Sequence, residues 1–224
     1  MAKTHGMEAY LTAIYTLQAE DGVVLASSIA DYLHVSRPTV TQTIHRLTAL
    51  ELVQTSLSKE IMLTAIGKEK AEQVVRRHRL LERWLSDDLG IEWAQAHEEA
   101  DRLEHAISPL VENKLMQKLG NPTTCPHGNA IPGSGKSQPQ GARLGDCVSG
   151  SVVTVVRIVE KAEENRELLS KFYECGLMPG ATIHVIRREE IPHHDVEIHF
   201  RVHDRSCMLT KSMARWIVIA PIGE

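Results

Sequence analysis

Aromatic residues are scarce: Phe, Trp and Tyr make up 4% of the 224 residues, and the 12 histidines outnumber them combined. Cysteine is sparse too. Its four copies, Cys125, Cys147, Cys175 and Cys207, contain no CxxC spacing, which excludes a dense disulfide framework and a four-thiolate zinc ribbon. That usage points to a reducing cytoplasm. No apolar run approaches the ~18 residues of a membrane span, and MAKTHGMEAYL does not read as a signal peptide, so no membrane association is expected. A basic excess is also missing. With 25 Lys and Arg against 29 Asp and Glu, the net charge is −4, so nucleic acid could be bound only through a local surface, not a global field. There is no tandem repeat.

What remains is an ordinary soluble composition, 42% hydrophobic and 24% charged, in a chain long enough for one to three small domains at roughly 150 residues each. Residues 7–20 repeat Met7, Leu11, Ile14, Tyr15 and Leu17 at helical spacing. A short helix follows around Ser28 to Leu33, then a turn at His34 to Ser36 and a second helix to about Leu50. Ser36 suits an N-cap, and Pro38 falls in the first turn, where its missing N–H costs nothing. Two short helices on a tight turn make a helix-turn-helix. VQTSLSKEIMLT then reads as two β-rich stretches around a Ser58-Lys59 tip, a wing.

Residues 65–89 and 92–119 read as two helices split at Gly90. Residues 120–143 are crowded with Gly, Pro, Ser and Gln, the composition of a linker. Beyond Leu144, the β-branched runs SVVTVVRIV, ATIHVIRR, DVEIHFRV and RWIVIAP, interrupted by helical ENRELLSKFYECG, predict a small β-barrel. The expected class is a mainly α N-terminal part with a small all-β C-terminal domain. The expected boundaries are 1–70 for a winged DNA-binding domain, 71–131 for a helical dimerisation and metal-binding domain, 132–143 for a flexible linker and 144–224 for an SH3-like barrel.

The chemistry concentrates in HEEADRLEH. At about 100° per residue, His97, Asp101, Glu104 and His105 fall at about 0°, 40°, −20° and 80°, one helix face. Trp93, Ala100, Leu103, Ile107 and Leu110 form an apolar stripe beside it. The preceding helix offers His78 and Glu82 one turn apart within an apolar face, where a buried polar pair needs partners. Imidazoles and carboxylates stacked on successive turns are lone-pair donors, and a cation converts carboxylate repulsion into ligation. Cys125 and His127 add two further donors. HEEAD is also one substitution from the HExxH of zinc proteases, with Glu98 as general base, so a metalloenzyme is the competing class. A third reading, an iron-transport accessory protein, leaves the winged helix-turn-helix unexplained.

With SRPTVTQTIHRL (Ser36 to Leu47), HRLLE (His78 to Glu82) and DRLEH (Asp101 to His105) in view, the chain resembles the diphtheria toxin repressor family of metal-dependent transcriptional repressors. GLMPGATIHV (Gly176 to Val185) resembles the FeoA-type barrel of longer members. The resemblance implies a non-enzymatic homodimer that binds palindromic double-stranded operators when loaded with Mn²⁺ or Fe²⁺. It implies metal ligation by His78, Asp101, Glu104 and His105. Glu82 and His97 match ancillary-site positions of the iron branch, and Cys125 with His127 matches a pair used with the equivalent of Glu82 in some manganese-responsive members. That softer pair is also where Zn²⁺ could bind in vitro. Ser36, Arg37, Pro38, Thr39 and Gln42 match positions that approach DNA. Arg37, Arg46 and Lys59 are the available phosphate contacts, while Thr39, Thr41 and Gln42 can reach base edges.

Two departures stand out. Family members place a Met or Asp ligand where this chain has Ala9, leaving Glu8, His5 or water as replacements. The iron branch has Cys at Asp101, and the harder carboxylate favours Mn²⁺. A further ligand could come from the acidic stretch containing Glu160, Glu163, Glu164 and Glu167.

Overall fold

The computed structural model describes residues 6–191 and 195–222, which form two compact units, Met1–Arg77 and His78–Glu224. His5 lies outside the described residues.

In the first unit, helices α1 (Met7–Asp21), α2 (Ala26–Leu33) and α3 (Arg37–Ala49) precede a hairpin of β1 (Val53–Thr55) and β2 (Ile61–Leu63). Their core joins Tyr10, Leu11, Ile14 and Leu17 of α1 to Ile29, Leu33, Val40, Ile44 and Leu47 of the next two helices. Tyr10, which the periodicity did not single out, points inward, whereas Met7 is 46% exposed. The α2–α3 turn follows the sequence closely. His34 adopts the left-handed conformation (φ 53°) that ends α2, and the Ser36 hydroxyl accepts from the Thr39 N–H at 3.3 Å. Ser36→Ala removes that cap; a loss of about 1 kcal/mol is expected in denaturant unfolding. The hairpin pairs Val53 with Leu63 and Thr55 with Ile61, and Lys59, at φ 64°, turns its tip. This is a winged helix-turn-helix.

Helix α4 (Ala65–Arg83) starts directly after the wing and continues into a π-helical turn, Trp84–Asp88. The second predicted helix, 92–119, is two: α5 (Trp93–Leu103) and α6 (Pro109–Lys118). Pro109 disfavours helical backbone at the residue before it, and Ser108 caps the new helix by accepting from Val111 N–H at 3.3 Å. The apolar stripe therefore stops short, and Leu110 is 68% exposed.

Strands β3 (Ala142–Arg143), β4 (Val152–Ile158), β5 (Thr182–Glu189), β6 (Glu197–Val202), β7 (Arg205–Thr210) and β8 (Ile217–Pro221) make an antiparallel sheet of six among the described residues, in the order β3-β8-β4-β5-β6-β7. Register shifts at Val155/Arg157 and Val185/Arg187 bend β4 and β5 around their core, as extra-residue bulges do. Helices α7 (Glu160–Glu163), α8 (Arg166–Glu174) and α9 (Lys211–Ala214) complete the domain. β7 lacks a β-branched run and was not foreseen. Trp93 and Ala94 of α5 are buried among Leu168, Leu169 and Phe172 of α8, so helical segment and sheet domain share one core.

The segment expected to be a flexible linker is tied down at Gln138 and Pro139. The Ala130 N–H donates to Gln138 Oε1 (2.9 Å), and the buried Arg157 donates to the Pro139 carbonyl (2.6 Å). Its composition reflects irregular backbone rather than freedom.

Candidate metal centre

Helix α4 presents His78 and Glu82 one turn apart, both buried. Against them α5 brings His97, α7 brings Glu163, and the loop after α6 brings Cys125 and His127. Glu82 Oε1 lies 3.0 Å from His78 Nε2 and 2.9 Å from His97 Nδ1, and those two nitrogens are 3.1 Å apart. Glu163 Oε2 is 3.7 Å from His97 Nδ1. On the other side, His127 Nδ1 faces Glu163 Oε1 at 3.1 Å, Glu82 Oε2 at 3.6 Å and the Cys125 sulfur at 3.8 Å.

The loop is shaped for this. The Cys125 N–H donates to the Asn129 carbonyl (2.9 Å) and the Ile158 N–H to the His127 carbonyl (2.8 Å). Arg83 reaches the Thr124 and Cys125 carbonyls at 2.9 and 2.8 Å. Gly128 has φ +90°, and a Cβ there would lie 2.5 Å from the Val156 carbonyl oxygen, so the close approach to β4 needs glycine. Asn129 donates to Glu163 Oε1 (2.8 Å) and accepts from Gln138 (2.7 Å) and Arg157 (3.2 Å). Glu163 is thus held by an amide that is itself held. Beside it, Arg79 pairs with Glu160 at 2.7 Å.

A divalent cation fits this donor set. Metal–ligand bonds of about 2.1 Å put neighbouring ligands of an octahedral ion about 3.0 Å apart, close to the separations among His78, Glu82 and His97. Glu82 Oε2, His97 Nε2 and His127 Nε2 are buried without hydrogen-bond partners, an expense that a bound ion offsets directly for Glu82. With no ion, protons compensate. Burial disfavours the imidazolium forms, but the carboxylates outweigh it: Glu82 and Glu104 hold His78 well above its ordinary range, and Glu163 and Glu82 do the same for His127. His97 is raised by Glu82. Despite its burial, Glu82 is pushed well below the carboxylate range by His78 and His127. Metal must displace those protons, so its affinity should rise with pH as the histidines deprotonate. Calorimetry in buffers of different ionisation heat should show net proton release on metal binding; no release would contradict this description.

The remaining predicted ligands divide. Glu104 Oε2 accepts from His78 Nδ1 at 2.8 Å and Asp101 lies 3.5 Å from the same nitrogen, forming a second, shallower group. A histidine whose far nitrogen bonds a carboxylate has its tautomer and ring orientation fixed. His105 is the exception: α5 has ended at Leu103, and the ring pairs with Glu104 at 3.3 Å on the surface, outside the clusters of converging donors. The four-residue face predicted for His97, Asp101, Glu104 and His105 is therefore split, with His97 buried on one side of it. Glu98, the general base of the protease reading, is bound by Arg166 at 3.0 Å, and Asp101 is not among His97's partners in the buried cluster. That constellation is not a zinc-protease site.

Glu163 was one of four acidic candidates; only its place at the end of α7 selects it. Asn129 and Gln138 carried no sequence signal beyond polarity in a turn-rich stretch, and Arg157 none beyond a charge within the β-branched run of β4. In the first unit, Ser36, Arg37, Pro38, Thr39, Thr41, Gln42 and Arg46 of the α3 segment and Lys59 of the wing are all exposed. No helix among the described residues is long and apolar enough to cross a membrane.

Comparison with known proteins agrees with these features. Residues 3–61 match the N-terminal DNA-binding domain of iron-dependent repressors, 64–133 their metal-binding and dimerisation domain, and 142–221 the FeoA domain. The chain is 36% identical over 189 residues to the iron-dependent repressor IdeR of Mycobacterium leprae, covering 80% of this chain and 82% of that protein. It is 31% identical over 191 residues to the diphtheria toxin repressor of Corynebacterium diphtheriae, covering 81% and 84%. Among solved structures, a manganese-dependent transcriptional repressor in complex with manganese superposes with a TM-score of 0.82 at 30% identity, over 97% of this chain and all (100%) of that one. ScaR with bound Zn²⁺ superposes at 0.78 with 28% identity, over 97% and 100%. The chain belongs to the diphtheria toxin repressor/IdeR family: it is a metal-dependent transcriptional repressor with a C-terminal FeoA domain.

Proposed function

We propose that this repressor acts as a homodimer in the cytoplasm, with Mn²⁺ or Fe²⁺ as corepressor, on palindromic operators of metal-homeostasis genes. The observation that carries the proposal is the convergence of His78, Glu82, His97 and Glu163, whose donor atoms lie within 4.8 Å of one another, in a chain that also holds a winged helix-turn-helix. In this reading His78, Glu82, His97 and Glu163 hold the buried ion, Cys125 and His127 extend the ligand set, and Asp101 and Glu104 belong to a neighbouring site, with His105 beside Glu104 at the surface. The bound dication supplies positive charge at carboxylates that, without it, raise the proton affinity of the buried imidazoles.

The nitrogen- and oxygen-dominated set around His78 suits Mn²⁺ or Fe²⁺, whereas the Cys125 thiolate favours softer ions such as Zn²⁺. The family matches at 3–61, 64–133 and 142–221 support a functional division into DNA reading over 1–70, dimerisation and metal binding over 71–131 and an FeoA-type module over 144–224 joined by 132–143.

Helix α4 carries the signal in this proposal, because one continuous helix runs from just after the wing to His78 and Glu82. Metal favours the DNA-binding arrangement only to the extent that it binds that arrangement better. Exposed Arg37, Arg46 and Lys59 then meet phosphates, Ser36 and Pro38 set the entry of α3, and Thr39, Thr41 and Gln42 read base edges. Arg37→Ala is expected to weaken binding uniformly across operator sequences and to reduce the salt slope by about 1.

The test is fluorescence anisotropy of the gene's own upstream DNA with chelator-stripped protein, titrated with Mn²⁺, anaerobic Fe²⁺ and Zn²⁺ against scrambled DNA. Specific binding that appears only with metal supports the proposal. Tight, specific binding without metal overturns the corepressor role.

A further inference from the structure

Two of the four cysteines, Cys175 and Cys207, lie outside every cluster of converging metal donors among the described residues. Cys175 caps the C-terminus of α8 and is 1% exposed, whereas Cys207 is half-buried on β7, the last strand of the sheet. The fold brings them together. Arg205, two residues before Cys207 and on the same face of β7, donates to the carbonyl of Glu174, the neighbour of Cys175, at 2.8 Å. Cys207 pairs in register with Phe200, which belongs to the same buried core as Cys175. Cys207 packs against that core from its rim, and the two thiols are in hydrogen-bond contact. A cavity of about 690 Å³ is lined in part by Gly176, which follows Cys175, and by Val202, His203 and Arg205, which lead into Cys207.

We propose that Cys175 and Cys207 are a reversible redox pair, oxidised by hydrogen peroxide to an intrachain disulfide that ties the end of α8 to β7. The inference stands apart from the metal-site reading. A buried cysteine alone packs as a small hydrophobe and stays inert; a second thiol in contact supplies the resolving sulfur that redox-sensing cysteines use. Cys207, half-buried, is the sulfur that a small oxidant reaches first. Its thiolate attacks one peroxide oxygen, the O–O bond breaks, and the departing hydroxide takes up the proton that Cys207 released, leaving a sulfenic acid. The Cys175 sulfur then attacks that sulfur as it gives up its proton, the S–O bond breaks and water departs. Two thiols lose two electrons, and one peroxide becomes two waters. Burial, with the Cys207 sulfur beside it, pushes the Cys175 thiol up to about 12, so Cys175 keeps its proton and serves as the resolving partner. Once Cys207 is an uncharged sulfenic acid, the part of that rise owed to its charge is gone. Exchange with an external dithiol returns both thiols.

The experiment uses the full-length chain, reduced, stripped of metal so that no iron turns peroxide into radicals, and treated with hydrogen peroxide. Free thiols should fall from four per chain to two, and dithiothreitol should restore all four. Tryptic mapping without reduction should find peptides 172–187 and 206–211 joined, with the loss of two hydrogens. In Cys175→Ala, Cys207 should stop at the sulfenic acid and be trapped by dimedone; in Cys207→Ser, the Cys175 thiol should survive the peroxide. Near-ultraviolet circular dichroism confirms that each variant retains its packing, and the parent result stands without either of them. A Cys207 that remains a thiol in the parent, a sulfenic acid that persists there, or a disulfide that joins two chains or takes in Cys125 or Cys147 overturns the pair. None of these outcomes touches the metal-dependent repressor reading, which is tested by operator binding.

Discussion

Glu82→Gln lowers the affinity of the chain for its activating cation by roughly 100-fold or more, at the upper end of or beyond what outer-shell changes cost. The side chain keeps its size, so packing around the fully buried position is preserved. What it loses is the charge that His78, His97 and His127 all face. An amide NH₂ also aims a donor where a lone pair was needed. The imidazoles lose their reason to hold protons and their ordinary range drops back toward that of a buried histidine. Isothermal calorimetry on metal-stripped protein measures the loss, and operator binding should then require correspondingly more metal. A change smaller than about tenfold would remove Glu82 from the centre of the site.

Trp93→Ala is expected to destabilise the protein by about 3–5 kcal/mol, the usual cost of truncating a fully buried large aromatic. Trp93 belongs to helix α5 but is packed in the core of the sheet domain, 2% exposed, with Leu168, Leu169 and Phe172. Its ring also meets His127 edge to face, with centroids 4.7 Å apart, and Tyr173 at 5.6 Å. The substitution should therefore lower metal affinity as well, because His127 loses the ring packed against it. Urea unfolding followed by circular dichroism gives the stability, and a loss below about 1 kcal/mol would mean that the helical segment and the FeoA domain are held together by other contacts.

The winged helix-turn-helix was legible because its signals are local. Ser36 caps, Pro38 starts α3, and Val40, Ile44 and Leu47 mark the buried face within a few residues. His78 and Glu82 were legible for the same reason: a polar pair on an apolar stripe must find partners. The face drawn through His97, Asp101, Glu104 and His105 failed where it ignored Ser108-Pro109. The helix ends at Leu103, so angles extrapolated past it lose meaning, and His105 leaves the group. Cys125 and His127 were visible as donors, but composition cast their surroundings as linker. Gly, Pro and Gln report irregular backbone, and irregular backbone can be as tightly bonded as the Asn129–Gln138–Arg157 network is. Glu163 could not be separated from Glu160, Glu164 and Glu167, since only the docking of α7 onto α4 and α5 tells the ligand from its neighbours. Glu160, three residues away, is spent on Arg79 instead.

In the proposed switch, the buried ion and the operator favour the same arrangement of the chain. Linkage makes this measurable from both sides, because the factor by which metal raises operator affinity must equal the factor by which operator raises metal affinity. The decisive measurement is Mn²⁺ affinity by calorimetry with and without saturating operator, beside operator affinity by anisotropy with and without saturating Mn²⁺. Two equal factors are expected, both well above unity and both collapsing toward unity in Glu82→Gln. Metal affinity unchanged by operator DNA would contradict it, and would make the His78–Glu82–His97–Glu163 centre a structural site rather than a switch.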